Sequence, residues 1–245
     1  MKAIILSAGR GSRLGPATED RPKCLVRISG RSLLDRQTAA LRAGGAHDIA
    51  IVVGWRRESM ADCGLPTFVN EDWATTSMVE TLACAASWLK REPVIVSYGD
   101  IVYSAATVRA LAASRTPIAV SYDPGWRALW EQRFDDPLTD AETFELGPGG
   151  LLRDIGGRPD SAENVEGQYM GLLRLTPDGW HELDHCRSEG APPAHMTGLL
   201  QRVVRAGRMP IAAVPVVGPW YEFDHPADLD TGRAAVDLLD AGGDW

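Results

Sequence analysis

Apolar residues along the chain come in short continuous runs, set apart by longer stretches with helical spacing. Residues 3–6, 49–53, 93–97 and 117–121 are such runs, bounded by polar or small residues. Their length and boundaries predict buried strands. Between them, residues 32–43 place Leu33, Leu34, Gln37, Ala40 and Leu41 near one face of a helix, with Gly44 and Gly45 as its stop. A short helix over 56–62 and a short strand over 67–70 follow. Residues 78–90 predict a helix with Thr76 or Ser77 as its N-cap, and 105–113 predict another. This alternation implies a mostly parallel sheet with helices on both faces. Ligands of such sheets sit outside the carboxyl ends of the strands.

From residue 122 the pattern changes. Short strands are predicted at 143–146 and 151–155, around a glycine-rich turn at 147–150. A longer strand spans 168–175, and a helix starts near Pro177, a residue favoured at the first helical position. Residues 196–206 read as a helix, 211–216 as a strand and 220–224 as a short extended segment. A last helix runs over 226–241. Trp126 and Trp130, four apart, suit either one packed helical face or an aromatic wall. The expected fold is α/β, a Rossmann-like three-layer α/β/α arrangement with a mostly parallel, mixed central sheet. No repeat, linker or low-complexity tract divides it, so one domain over 1–245 is expected.

Composition narrows the possible partners. The net charge is −8, which argues against general nucleic-acid affinity. No stretch reaches 18 apolar residues, so no membrane span is expected. No signal pattern opens the chain. Cys24, Cys63, Cys84 and Cys186 are scattered without a CxxC, so neither a zinc knuckle nor a redox pair is indicated. Reduced thiols and a cytoplasmic location follow. His181 and His185 lack the surroundings of a metal site. Monomer and homodimer both remain open.

Positive charge is concentrated near the start, at Arg10, Arg13, Arg21 and Lys23. There the first strand leads into Ser7-Ala8-Gly9-Arg10-Gly11-Ser12-Arg13-Leu14. Gly9 and Gly11 let backbone approach a ligand and turn its amides toward phosphate oxygens. Arg13 adds a planar fork and Lys23 a movable point charge. Lysine occurs only at Lys2, Lys23 and Lys90. A dinucleotide fingerprint would need glycine where Leu14 stands, and no P-loop pattern occurs. The loop therefore suits a triphosphate. Asp100 follows a buried strand, and Glu222 and Asp224 share one face of an extended segment. These three carboxylates are the candidate metal ligands. Mg²⁺ prefers one or two carboxylates plus phosphate oxygens and waters. Lys23, Arg13, Asp100 and Asp224 are the expected catalytic set. The loop Thr75-Thr76-Ser77 is expected either to cap a helix or to meet nucleobase and ribose.

These residues resemble the nucleotidyltransferase superfamily, with strand-(S/A)AGxGxRL followed by PK. Within it they are most similar to small-molecule cytidylyltransferases acting on phosphocholine, 2-aminoethylphosphonate, phosphonoformate or phosphoglutamine. The similar stretches are LSAGRGSRL, RPKCLV, NEDWATTSMVETL, SYGDIVY, DPGWRALWEQRFDDPLTDAETFEL, ENVEGQYMGLLRL, MTGLLQ and WYEFDHPADL. The resemblance implies the fold of nucleotide-diphospho-sugar transferases. Residues 1–121 would be the nucleotide-binding half and 122–245 the acceptor-binding half. It implies CTP and a small phosphate or phosphonate as partners. Leu6, Ser7, Ala8, Gly9, Gly11, Ser12, Arg13, Lys23, Thr75, Thr76 and Ser77 would bind the nucleotide. Asp123, Trp126, Arg127, Arg133, Glu166, Gln168 and Tyr169 would line the acceptor side. His225 departs from the small or apolar residue common in relatives. The arginines at 127 and 133 lean the acceptor toward a small acidic phosphonate such as phosphonoformate. Alternatives are a sugar-1-phosphate nucleotidyltransferase and, in another class, a non-catalytic nucleotide sensor.

Overall fold

The computed structural model describes residues 1–191 and 193–243. Its centre is a sheet of seven strands: β1 Lys2–Ser7, β2 Asp48–Val53, β3 Thr67–Val69, β4 Val94–Tyr98, β5 Ile118–Asp123, β6 Gln168–Leu175 and β7 Ile211–Pro215. Across the sheet the order is β7-β5-β6-β4-β1-β2-β3. Only β6 runs antiparallel to its neighbours, β4 and β5. The mostly parallel, mixed sheet expected from the alternation is therefore present. The apolar runs that predicted β1, β2 and β4 are almost wholly buried, as strands covered on both faces must be.

Register decides where the site forms. Leu6 of β1 pairs with Val52 of β2 on one side and with Tyr98 of β4 on the other. The carboxyl ends of these strands are level, so the loops after Ser7, Val53 and Tyr98 open onto one edge. A short strand Ile101–Tyr103 then pairs antiparallel with Trp220–Glu222, with Ile101 opposite Glu222. Phe223 continues the pairing by donating its backbone N–H to Asp100 O at 2.9 Å. That pairing brings Asp100 beside a segment more than a hundred positions later.

A second, smaller core locks the same two regions together. Leu14, Val26, Ile28 and Leu33 pack with Val102, Tyr221, Phe223, Val236 and Leu239. The first loop and the last helix thus share one apolar interior.

Some boundaries differ from expectation. The predicted helix 78–90 is two pieces, Met78–Ala83 and Ala86–Leu89, because Ala85 leaves helical geometry. The last helix breaks at Gly232, a weak helix former, into Asp228–Thr231 and Arg233–Gly242. Strand Ile101–Tyr103 and the small hairpin Arg27–Ile28/Arg31–Ser32 carry too few residues for a period to show. Trp126 and Trp130 lie on a helix, Trp126–Arg133, and both are buried.

Candidate active site

The site is built from the edge loops of β1 and β4 and the Trp220–Glu222 segment. After β1 the chain enters Gly11 at φ 65°, a conformation that L side chains rarely adopt. A Cβ there would also stand 3.0 Å from Lys23 Cε. Gly11 is thus the floor against which the lysine lies. Gly99 has a similar task on β4. A Cβ on it would meet Leu6 O at 2.7 Å, so only glycine lets the two strand ends stay level.

Lys23 is nearly buried and clamped between two carboxylates. Its Nζ stands 2.9 Å from Asp100 Oδ2 and 2.7 Å from Asp224 Oδ1. Arg13 Nη2 reaches Asp224 Oδ2 at 2.8 Å, while two-thirds of its side chain remains exposed. Burial by itself lowers the Lys23 pKa, but Asp100 and Asp224 outweigh it and hold the ammonium well above its ordinary value. Glu222 is the third acid of the cluster. Burial first, and then the Asp100 and Asp224 carboxylates against the pull of Arg133, push its pKa up to about 7.

The chemistry of this donor set suits a hard cation. Asp100 Oδ1 is buried and accepts no hydrogen bond. Asp100 and Asp224 already meet at a single cationic nitrogen. Among the described residues no group of three or more His, Cys, Asp or Glu side chains forms a ready metal cage. Two carboxylates short of a full shell are what Mg²⁺ takes when a bound phosphate supplies the rest.

A cleft of about 190 Å³ opens over this cluster, lined by Leu6, Ser7, Gly9, Gly11, Arg13, Lys23, Met78, Gly99 and Asp100. Larger grooves, of about 800 and 720 Å³, lie where none of Lys23, Asp100 or Asp224 lines them. Met78 and Gly99 were missed by sequence reasoning. The clue to Gly99 was its place between a buried strand and Asp100. Met78 had no clue beyond opening a helix after a polar loop.

Not every expected nucleotide contact faces the cleft. Ala8 is buried and its carbonyl accepts from Trp55 N at 2.8 Å. Ser12 is exposed at the start of a short 3-10 segment. Thr75 and Thr76 donate their hydroxyls to Asp72 O, and Thr76 also accepts from Asn70 Nδ2 at 2.9 Å. Ser77 holds the N-cap position, but its hydroxyl goes to Pro193 O at 3.1 Å instead of capping the helix.

The acceptor-side residues are largely committed within the protein. Asp123 accepts from Gly125 N at 2.7 Å and from Trp220 Nε1 at 2.9 Å. Trp126 Nε1 donates to Val165 O, and Gln168 exchanges bonds with the Glu142 backbone. Glu166 accepts from Leu146 N at 2.6 Å. Arg127 pairs with Glu131 on the exposed helix face. Arg133, expected to grip the acceptor, has a side chain only 2% exposed. It contacts Asp228 Oδ1 at 3.1 Å and Glu222 Oε2 at 3.3 Å, beside Trp130, Phe134 and Tyr221. Tyr169 packs edge-on against Tyr98, with its hydroxyl buried. Burial, Tyr169 and the carboxylates of Asp100, Glu222 and Glu142 raise the Tyr98 pKa well above its ordinary value.

Asp228 joins the two sides. Besides Arg133 it accepts from Tyr221 Oη at 2.9 Å, Asp224 N at 2.8 Å and His225 N at 2.7 Å. It thereby fixes the backbone that carries Asp224. Asp228→Ala is expected to leave Arg133 buried with one carboxylate partner fewer and to cost about 3–5 kcal/mol of stability. Urea denaturation measures this, and a loss below about 1 kcal/mol, the scale of exposed pairs, would show that the buried pair is not held as described.

A family model described as a MobA-like NTP transferase domain matches residues 3–162. The chain belongs to this family. This NTP transferase is 31% identical over 250 residues to the CTP:phosphoglutamine cytidylyltransferase of Campylobacter jejuni, covering 94% of this chain and 98% of that protein. It is 31% identical over 137 residues to the CMP-5'-(3-aminopropyl)phosphonate synthase of Streptomyces rubellomurinus, covering 53% of this chain but 22% of that protein. The solved inositol-1-phosphate CTP transferase from T. maritima shares its fold, with a TM-score of 0.77 at 19% identity over 98% of this chain and 96% of that one. The family membership and the relative matched over 98% of its length make this chain a nucleotidyltransferase, the enzyme class expected from the sequence. No helix among the described residues is long and apolar enough to cross a membrane.

Proposed function

We propose that the protein transfers CMP from CTP to a small phosphate or phosphonate with the help of Mg²⁺, releasing pyrophosphate. The observation that carries this reading is the Lys23 ammonium clamped by Asp100 and Asp224 beneath the glycine loop. A triphosphate entering the cleft meets a lysine already held in its charged form. Arg13 is exposed enough to turn from Asp224 to a phosphate oxygen. Asp100 and Asp224 would hold the Mg²⁺, which supplies charge neutralisation at the reacting phosphate and the leaving pyrophosphate. Glu222 lies beside them and shares itself with Arg133. An acceptor oxygen, ionised at neutral pH, attacks the α-phosphorus as the bond to the bridging oxygen breaks. The pyrophosphate departs with that electron pair. No general base is needed.

Arg127 and Arg133 in the acceptor region, with no evident cluster of acids and aromatics, lean the acceptor toward phosphonoformate on the sequence alone. Both guanidinium groups face carboxylates. Glu142 and Glu222 stand near the Tyr98–Tyr169 pair, which makes this side acidic and aromatic. An acceptor whose free end carries an ammonium suits it better than one whose second group is an anion alone. We therefore place phosphoglutamine, phosphocholine and 2-aminoethylphosphonate ahead of phosphonoformate. The test is pyrophosphate release with CTP, Mg²⁺ and these four acceptors, with a sugar 1-phosphate as control. Turnover is expected with a member of the first three. Turnover with phosphonoformate alone would overturn the ranking, and turnover with the sugar phosphate alone would overturn the acceptor class.

A further inference from the structure

Gln37 is a polar residue on a helix face that otherwise buries apolar side chains. Leu33, Leu34, Ala40 and Leu41 of helix Leu33–Ala43 are buried around it, and Gln37 itself is 1% exposed. Burying a carboxamide is costly unless hydrogen bonds replace those to water. Nothing in the reaction above uses this residue.

Its Nε2 donates to Tyr98 O at 2.8 Å and to Ile101 O at 2.6 Å. Those two carbonyls bracket Gly99-Asp100, the turn that presents Asp100 to Lys23. Tyr98 O has another donor, Ser97 Oγ at 2.9 Å, so Gln37 does more than satisfy that oxygen. The other side of the turn is held through Asp100 O by Phe223 N. Gln37 Oε1 accepts no bond, so the polar contacts of the side chain all fall on this one turn. Met or Leu would fill similar space but offers no donor. Glu would set carboxylate oxygens against two carbonyl oxygens.

We propose that Gln37 is a positioning residue, which sets the 98–101 turn so that the Asp100 carboxylate reaches its partners at the triphosphate site. This rests on the reading of Asp100 as a metal ligand. Partners behind a metal ligand are worth about 10–100-fold in metal affinity or activity. Two variants, Gln37→Met and Gln37→Leu, test it, with Mn²⁺ standing in for Mg²⁺. In a variant that folds, kcat is expected to fall by about 10–100-fold while the KM for CTP changes little. Mn²⁺ affinity of the CTP-bound protein, read by water-proton relaxation, is expected to weaken by a similar factor. A merely structural role would lower the melting temperature without moving the Mn²⁺ affinity of the folded protein. Wild-type kcat and Mn²⁺ affinity in a folded variant would overturn the proposal. Failure of both variants to fold would also overturn it, because Gln37 would then serve folding alone. If the wild-type protein binds Mn²⁺ with CTP yet turns over no acceptor, the acceptor reading fails and the relaxation measurement still decides the role of Gln37.

Discussion

Asp100→Asn is expected to lower kcat by about 10²–10³-fold while CTP binding changes only a few-fold. The magnitude is that of removing one preorganised charge contact to a transition state. Asp100 sits at the end of β4 with one oxygen on Lys23 and the other buried without a hydrogen-bond partner. Asparagine keeps the shape and removes the charge. On the proposed reading, the ground-state triphosphate would still have Lys23, Arg13 and the glycine amides, so binding is expected to survive. On that reading, what is lost is the ligand charge that would hold Mg²⁺, which would supply charge neutralisation at the reacting phosphate. Steady-state pyrophosphate release and equilibrium CTP binding, measured separately, give the split. Near-normal turnover would place the metal elsewhere.

Lys23→Met is expected to affect both binding and turnover, and stability as well. The lysine is the shared partner of Asp100 and Asp224. Without it two largely buried carboxylates face each other, with Arg13 left to one of them. Breaking a buried pair in this way costs about 3–5 kcal/mol. The sign of the pH dependence follows. Lys23 is one of the charges that pull the Glu222 pKa down, so without it Glu222 takes up its proton more readily as pH falls. The stability deficit relative to wild type is therefore expected to shrink on going from about pH 8 to about pH 5. Turnover at saturating acceptor is expected to drop by about 10²–10³-fold, with a raised KM for CTP, since the proposed phosphate contact would be lost in both ground and transition states. Denaturation at two pH values and CTP kinetics check this. A deficit that grows in acid would count against the clamp.

The parts of the site that could be read in advance are those whose chemistry is local. Gly9, Gly11 and Arg13 follow a buried strand within a few residues, and the structure sets all three on one cleft with Lys23. Asp100 follows a strand of the mostly parallel sheet, which gathers such ends on one edge, whereas Asp224 is brought there by the antiparallel pairing of Trp220–Glu222 with Ile101–Tyr103. Acceptor roles were harder to read for the converse reason. Whether Arg133 is free depends on Asp228, 95 positions away. Whether Gln168 or Asp123 reaches a ligand depends on Glu142 and Trp220, which take up their polar atoms first. Gln37 could be placed on a helix face, but its task lay 61 and 64 positions downstream.

Alternation of apolar runs and amphipathic stretches was enough to determine the α/β class, the mostly parallel sheet and the edge onto which its first loop opens. Those features follow from local period and from the handedness of strand–helix–strand connections. The tertiary structure decided which charges stay available. Lys23 meets Asp100 and Asp224 only because β1, β4 and the 220–224 segment are brought level by sheet register and by a shared apolar core. Arg133 is buried and taken up by Glu222 and Asp228. Pairing between distant charges depends on distance and burial, and a linear order of residues carries neither.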